Sequence, residues 1–170
     1  MRIRKTKHGD WKAVTELLDQ AFKGQAESKL VLALIGTESF ISELSLVAED
    51  DSQIIGYILF TKAQIVEEGF GCETLVLAPM AVLPSFQKQG FGSALVRFGL
   101  EEASRLGFTS VIVLGHREYY PRFGFKPASD FQITAPWKVP DEVFMALELK
   151  KDALKGVKGL VQHAEPFSMF

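Results

Sequence analysis

The sequence predicts an α/β protein in which helices cover the faces of one mixed β-sheet. Two continuous apolar segments, residues 73–83 and 110–115, are typical of central strands that are covered on both faces. A segment with helical periodicity lies between them, and such a strand–helix–strand crossover requires the two strands to run parallel. Segments with alternating polarity lie before and after this unit, and they predict antiparallel strands.

The N-terminal part predicts a strand, two helices and a hairpin. Residues 2–5 are suited to a short strand, and Asp10 can cap a helix. The apolar residues of that helix keep to one face: Trp11, Val14, Leu17, Leu18, Ala21 and Phe22. A second helix is expected over residues 26–35. Residues 42–49 and 53–60 then form the strands of an antiparallel hairpin, joined by the polar turn DDSQ.

The helix between the two apolar strands carries Phe91, Ala94, Leu95 and Phe98 at helical spacing, and Gly107 marks its end. Residues 127–140 contain three prolines and predict a long loop. Residues 143–149 alternate again and predict a late strand.

Length and composition predict one domain over residues 1–170, with a core at about 2–150 and a C-terminal tail at 151–170. The net charge of −2 gives no electrostatic reason to expect a nucleic-acid partner. No segment has the features of a membrane span or a secretory signal, so no membrane partner is expected. A lone cysteine, Cys72, fits a cytoplasmic location, and we interpret it as a small buried hydrophobe rather than a nucleophile.

The turn QKQGFG, residues 87–92, places two glycines where the central helix should begin. Glycine costs roughly 1 kcal/mol against alanine inside a helix, so another requirement must favour it here. The first amides of a helix carry partial positive charge and suit a phosphate, which glycines allow to approach. A dinucleotide fingerprint would need glycine at Leu95, and a Walker loop would need a Gly-Lys-Ser/Thr triplet that the chain lacks. A tight turn without a ligand remains an alternative.

Residues 80–92, with Gln87, Gly90 and Gly92 spaced as Q-x-x-G-x-G, resemble the acetyl-CoA loop of the GNAT superfamily of acyl-CoA-dependent N-acetyltransferases. The segment GHREYYPRFGF, residues 115–125, resembles the segment that carries the catalytic tyrosine in many members, and its residues are similar to those of the YhbS-like branch. The order of elements also matches. The resemblance covers about residues 2–150 and implies a GNAT-like fold, with a central mixed sheet whose parallel strands splay apart.

The resemblance implies acetyl-CoA as co-substrate and no metal. The family binds the CoA diphosphate on the loop amides, which implies a binding set of Gln87, Lys88, Gln89, Gly90, Phe91 and Gly92, with Ser93 just inside the helix. The pantetheine arm pairs with the edge of the preceding strand, which implies Met80, Ala81 and Val82. Pro79 is compatible with an interrupted strand, because proline cannot donate to a β-ladder.

The resemblance gives Tyr120 the place of the general acid, with Tyr119 as its competitor. A phenol with a pKa of about 10 can protonate a thiolate whose conjugate acid has a pKa of about 8.5. A backbone amide at or near Val82 is expected to polarise the thioester carbonyl. Either tyrosine alone is equally compatible with a role in the core.

The general base remains open. Many family members have an Asn after the parallel strand, where this chain has the Val113 region and then His116, and a Glu where it has Val76. Glu73 is expected to point to the other face, so Glu27, Glu73 and His116 stay candidates acting through water. At pH 7, neutralising a lysine-type amine costs roughly 4.6 kcal/mol, against about 1.4 kcal/mol for an α-amine. A weak base therefore favours a small amine or an N-terminal α-amine.

These features predict an acetyl-CoA-dependent N-acetyltransferase that moves the acetyl group by direct transfer to a primary amine of a small molecule or a peptide. Two alternatives stay open, a non-catalytic acyl-CoA-binding sensor or interaction module and a phosphate-binding protein unrelated to CoA. The variable parts expected to contact the acceptor are the first two helices, the loop around Trp137 and the tail. The apolar end of the tail can dock on the domain, cover the acceptor pocket or meet a second subunit in a homodimer. The lysines of residues 150–159 are expected on a solvated terminal helix or tail.

Overall fold

A computed structural model describes residues 1–169. Within these residues, three α-helices and nine strands follow one another: β1 Arg2–Lys5, α1 Trp11–Phe22, α2 Ala26–Ile35, β2 Phe40–Asp50, β3 Gln53–Glu67, β4 Phe70–Val82, α3 Phe91–Arg105, β5 Ser110–Leu114, β6 Lys126–Pro127, β7 Ile133–Thr134, β8 Phe144–Glu148 and β9 Gly159–Gln162. None of the helices in residues 1–169 combines the length and apolar character that crossing a membrane requires.

The strands form the predicted mixed sheet, in the order β1-β2-β3-β4-β5-β8-β6. The pair β4–β5 is parallel, as the crossover through α3 requires, and its neighbours in this order pair antiparallel. Residues 64–66 of β3 lie beyond Thr61, the last residue of β3 that pairs with β2, and they pair with β9 instead. Strand β7 in turn pairs parallel with β9. The C-terminal tail is therefore part of the sheet.

The helices lie on opposite faces of this sheet. Gly99 of α3 lies directly against the ring of Phe60 in β3. Tyr57 packs edge-on against Trp11 of α1, with ring centroids 6.3 Å apart. Because residues 57 and 60 are an odd number of positions apart in one strand, their side chains point to opposite faces. Helix α3 therefore covers one face, and α1 with its neighbour α2 covers the other.

The parallel strands separate soon after they meet. Strand β5 pairs with β4 only at Leu75–Val111 and Val76–Ile112, although β4 continues to Val82 along β3. The register of β4 against β3 shifts between Leu77 and Met80. This irregularity surrounds Pro79, so the predicted interruption is confirmed. The splayed strands leave a gap through the sheet, which positions the site described below.

Several local expectations are wrong. Strand β3 runs on to Glu67 rather than ending near Phe60, and it forms a second long hairpin with β4. The proline-rich segment contains β6 and β7 rather than one long loop. Each of these strands is stabilised by pairing with a distant segment, which local sequence patterns do not show. By contrast, residues 150–159 form turns, and their lysines are exposed, as expected for a solvated tail.

Two side chains also differ from expectation. Asp10 does not cap α1, because its carboxylate accepts hydrogen bonds from the Arg4 guanidinium at 2.7 Å and from the Lys7 amide at 2.7 Å. Cys72 is half-buried rather than buried, since it lies near the hairpin end of β4. The Asp10 carboxylate thus links β1 to the chain entering α1.

Candidate active site

A cavity of about 930 Å³ opens where β4 and β5 separate. Gly92 and Ser93 of α3 line it from one face of the sheet, and Phe22 and Glu27 of the α1–α2 region line it from the other. Its sides are formed by side chains of β4, such as Val76, and of β5, such as Ile112 and Leu114. The cavity therefore passes through the sheet, from the start of α3 to the opposite face.

The start of α3 is open to this cavity. Gly90 precedes the helix with φ +90°, and a Cβ atom at this position would meet no heavy atom within 4 Å. The Ala94 amide donates the first helical bond, to the Gly90 carbonyl at 3.0 Å. The amides before it have no acceptor within the helix and carry the positive end of its dipole. Free amides and open space make this loop and helix start, residues 87–93, suited to an anion, and we name them the anion cradle.

The structure brings together most of the cofactor-binding residues predicted from sequence. Eight of the ten line the cavity: Met80, Ala81, Val82, Gln87, Lys88, Gly90, Gly92 and Ser93. The other two lie in the anion cradle, but their side chains point elsewhere. Gln89 donates to the Ser85 carbonyl at 3.2 Å, and the Phe91 ring packs edge-on against Phe86 with centroids 6.0 Å apart.

The edge of β4 offers main-chain groups to the gap. The Leu83 amide donates to the Ile55 carbonyl at 2.8 Å, so Leu83 faces β3. Hydrogen-bonding direction alternates along an antiparallel strand, so Ala81 also faces β3, whereas the main-chain groups of Met80 and Val82 face the gap. The Val82 carbonyl there accepts a hydrogen bond from the Gln87 side chain at 3.0 Å. The Val82 amide is directed into the cavity.

The two tyrosines occupy different parts of the cavity. The Tyr119 hydroxyl lies 3.2 Å from Ser93 Oγ, beside the anion cradle, and the Arg122 guanidinium lies 4.5 Å from the centre of its ring. The Tyr120 ring lies against Gly115 and packs edge-on against Phe125, with centroids 5.7 Å apart. Tyr120 is 7% exposed and lines the cavity. Burial raises the pKa of its phenol, so it stays protonated at neutral pH.

The C-terminal tail supplies residues that sequence reasoning did not single out. His163 lines the cavity with its ring between Trp137 and Phe167, at centroid distances of 4.6 and 5.1 Å. Its Nδ1 is buried without a hydrogen-bond partner in residues 1–169. Burial lowers the pKa of His163 to about 4. The only signal in the sequence was the aromatic character of the tail, which docks on the domain and lines the cavity.

Comparison with known proteins identifies the family. A family model described as an acetyltransferase (GNAT) domain matches residues 42–127. The chain is 35% identical over 162 residues to the uncharacterized N-acetyltransferase YhbS of Escherichia coli strain K12, covering 95% of each protein. The chain belongs to the GNAT family of N-acetyltransferases. Another relative in that family is the uncharacterized N-acetyltransferase YjhQ of the same strain, which is 39% identical over 138 residues, covering 81% of this chain and 76% of YjhQ.

Solved structures of GNAT acetyltransferases share the fold. The structure of Escherichia coli YhbS in complex with CoA matches with a TM-score of 0.92 and 34% identity, over 99% of this chain and 92% of that one. A GNAT family acetyltransferase from Brucella melitensis in complex with acetyl-CoA matches with a TM-score of 0.80 and 30% identity, over 98% and 97% of the two chains. The predicted GNAT-like fold is therefore confirmed.

The candidate bases of this GNAT protein differ in position. Glu27 and His116 line the cavity, whereas Glu73 lies on the exposed part of β4 outside it. Val76, which stands where many relatives were expected to have Glu, is 3% exposed and apolar. Within residues 1–169, no group of three or more His, Cys, Asp or Glu side chains is arranged to hold a metal ion. Two of the three candidates remain at the site.

Proposed function

We propose that this protein binds acetyl-CoA along the cavity and transfers the acetyl group directly to a primary amine, of a small molecule or of a peptide N-terminus. The continuity of the cavity carries this proposal, because one channel joins the anion cradle to the far face of the sheet. When acetyl-CoA binds with its diphosphate at the start of α3, its thioester can reach an amine that enters from the opposite face of the sheet. The complexes of YhbS with CoA and of the Brucella relative with acetyl-CoA support this choice of ligand.

Each part of acetyl-CoA has a suitable partner in the cavity. The first amides of α3 and the Lys88 ammonium can bind the diphosphate, because both carry positive charge. The gap-facing main-chain groups of Met80 can pair with the pantetheine arm, as an added strand would, which leaves the Val82 amide for the thioester carbonyl. The absent Cβ atom of Gly90 leaves room for an anion near the helix start. The residues present therefore fit the ligand.

Direct transfer needs a polarised carbonyl and a proton for the leaving group. The neutral amine attacks the thioester carbon, while the Val82 amide donates a hydrogen bond to the carbonyl oxygen. As the carbon–nitrogen bond forms and the carbon–sulfur bond breaks, Tyr120 gives its proton to the sulfur. The nitrogen loses one proton to water, to Glu27 or to His116, and Tyr120 is reprotonated from solvent. The products are an amide and free CoA.

Two observations favour Tyr120 over Tyr119 as the acid. Tyr119 shares a hydrogen bond with Ser93 beside the anion cradle, which suits contact with the cofactor. Tyr120 is buried at the cavity, and its ring is held against Gly115 and Phe125, which fixes its position there. A non-catalytic acyl-CoA sensor is the second candidate, favoured by Val76 in place of a carboxylate.

The ligand site is tested by Gly90→Glu, with Gly107→Glu as matched control. Both glycines are exposed, have positive φ and flank α3, at +90° before it and +93° after it. The backbone strain is similar, but only Gly90 lies in the anion cradle. We expect Gly90→Glu to weaken acetyl-CoA binding at least about thirtyfold in calorimetry, because charge repulsion and lost space add together. Gly107→Glu should keep the wild-type Kd, and equal affinity of the two variants would reject the site.

The acid is tested by Tyr120→Phe in a thiol-release assay with a mixed panel of amines. Loss of a general acid should lower kcat by about 100-fold or more, with an unchanged Kd for acetyl-CoA. Tyr119→Phe should alter acetyl-CoA affinity more than kcat. A Tyr120→Phe protein that binds normally and turns over as fast as wild type would remove the assignment. Binding without turnover in the wild type would favour the sensor.

A further inference from the structure

Large apolar side chains are exposed at the end of the cavity that faces α1 and the tail. Phe22, Leu114 and Trp137 are 42%, 45% and 39% exposed, and all three line this cavity. Single exposed apolar residues are common, but a group around one cavity marks a surface that binds an apolar ligand. The acceptor end is therefore suited to a molecule with an apolar body.

Aromatic rings form one side of this end. The rings of Trp137, His163 and Phe167 pack against one another in turn, tilted by 44° and 55°, and we name them the aromatic wall. The short 3-10 helix Glu165–Ser168 carries Phe167 and packs on α2, so the wall lies on the face opposite α3. His163 is neutral at pH 7, because burial lowers its pKa to about 4. The wall thus offers aromatic surface for edge and face contacts and does not repel a cation.

The charges of the cavity are divided between its two ends. Lys88 and Arg122 lie at the anion cradle, since Arg122 covers the Tyr119 ring next to Ser93. Glu27 of α2 is the only Asp or Glu among the lining residues of the described chain. One carboxylate can attract one ammonium group. A second positive charge on the acceptor would find no partner in this lining.

Building on the function proposed above, we propose that the acceptor is a primary amine with one positive charge and an aromatic body. Its ring would lie against Trp137, His163 and Phe167, and its ammonium group would approach Glu27 before it is deprotonated. Aromatic rings gain from edge and stacking contacts with other rings beyond the gain from burial. Polyamines and strongly polar amines lack one or both of these contacts.

The test compares four amines with the wild-type protein at saturating acetyl-CoA, so it requires no variant. These are 2-phenylethylamine, 2-cyclohexylethylamine, ethanolamine and 1,4-diaminobutane. We expect kcat/KM for 2-phenylethylamine to exceed that for ethanolamine and 1,4-diaminobutane at least about tenfold, because only its ring is buried. The kcat/KM for 2-phenylethylamine should also exceed the kcat/KM for 2-cyclohexylethylamine about threefold. Because the two amines are similar in size, this ratio measures the aromatic contribution.

Variants then locate the binding surface. Trp137→Ala and His163→Ala should each lower the ratio of kcat/KM for 2-phenylethylamine to that for ethanolamine about tenfold. Phe70→Ala is the matched control, because Phe70 is 83% exposed at the hairpin end of β4, away from the cavity. Glu27→Gln should raise KM for both amines, and Glu38→Gln, on the exposed surface after α2, should not.

The outcomes separate this inference from the function on which it rests. Equal use of ethanolamine or 1,4-diaminobutane would overturn the aromatic acceptor and leave N-acetylation standing. A ratio near one for the phenyl and cyclohexyl amines would likewise overturn the aromatic contact. Acetyl-CoA binding without turnover of any amine would overturn both proposals. An unchanged ratio of 2-phenylethylamine to ethanolamine in Trp137→Ala and His163→Ala would reject the wall.

Discussion

The position of Tyr120 depends on a neighbour that has no side chain. A Cβ atom at Gly115 would overlap the Tyr120 ring, with the ring Cδ2 only 2.9 Å away. The Gly115 amide donates to the Val143 carbonyl at 2.9 Å, so the main chain cannot easily move aside. Only glycine lets the ring lie against β5 and reach the cavity. Within the segment GHREYY, Gly115 therefore determines the position of the candidate acid Tyr120 through packing.

Gly115→Ala tests this dependence. The added methyl group should displace the Tyr120 ring and lower kcat about 10- to 100-fold, because small misplacements of a reacting group are costly. The Kd for acetyl-CoA should stay within about twofold, since the anion cradle is not touched. Steady-state kinetics and calorimetry measure the two quantities.

Gly99→Ala provides the matched control, because its methyl group would overlap Phe60 instead. That variant should lose about 1–3 kcal/mol of unfolding free energy, yet the folded enzyme should keep its kcat. A wild-type kcat for Gly115→Ala would show that the ring position does not matter for turnover.

At the level of elements, sequence predicted those whose signal is local. The switch from a continuous apolar run to helical spacing and back identified β4, α3 and β5, and their crossover fixed the parallel pair. Strands β6, β7 and β9 have only two to four residues. Strand β9 forms because β3 extends past its pairing with β2, so the edge of β3 at residues 64–66 is free to pair with β9. No pattern within four residues carries that information.

The same distinction applies to the site. The anion cradle and the β4 edge were predictable because their groups lie within one stretch, residues 80–93. The acceptor end combines Phe22 and Glu27 with Trp137 and the tail, more than 100 residues away in the sequence. Their proximity is produced by β9 and by the packing of the tail on α2. His163 could therefore not be identified as a cavity residue from its local sequence.

The loop between β4 and α3 is tethered by one glutamine. Gln87 donates to the Val82 carbonyl at 3.0 Å and lines the cavity, whereas Gln89 donates to Ser85 within the loop. Gln87→Ala should weaken acetyl-CoA binding about 2- to 12-fold, the range expected for one hydrogen bond of about 0.5–1.5 kcal/mol. Gln89→Ala should leave the Kd within about twofold in the same calorimetric measurement. A larger effect at Gln89 would contradict the tether.

For the molecule as a whole, the splayed sheet is the feature that would join the two halves of the proposed reaction. Helix α3 supplies the anion cradle on one face, and α1, α2 and the tail supply the acceptor end on the other. A complete ladder between β4 and β5 would close the passage, because sheet strands lie only about 4.8 Å apart. The early separation of the strands after Val76 and Ile112 is therefore a requirement of the proposed function.

The docked tail should also make global stability depend on pH. His163 has an ordinary pKa of 6.5 that burial lowers to about 4 in the folded state. As the pH falls below 6.5, the unfolded chain binds a proton that the folded chain rejects, so unfolding becomes more favourable. The unfolding free energy should fall by about 1.4 kcal/mol per pH unit below pH 6.5, and the total loss should reach about 3 kcal/mol near pH 4. Asp10, whose pKa is lowered from 3.8 by Arg4, contributes its loss only below this window.

Urea unfolding of the wild type and of His163→Leu between pH 8 and pH 4 measures this contribution. Leucine keeps an apolar side chain against Trp137 and Phe167 but cannot titrate. The difference in unfolding free energy between the two proteins should be constant above pH 7 and should shift by about 3 kcal/mol in favour of the variant toward pH 4. Parallel curves would mean that His163 is protonated as easily in the folded protein as in the unfolded chain. The tail would then have to leave the aromatic wall open to water.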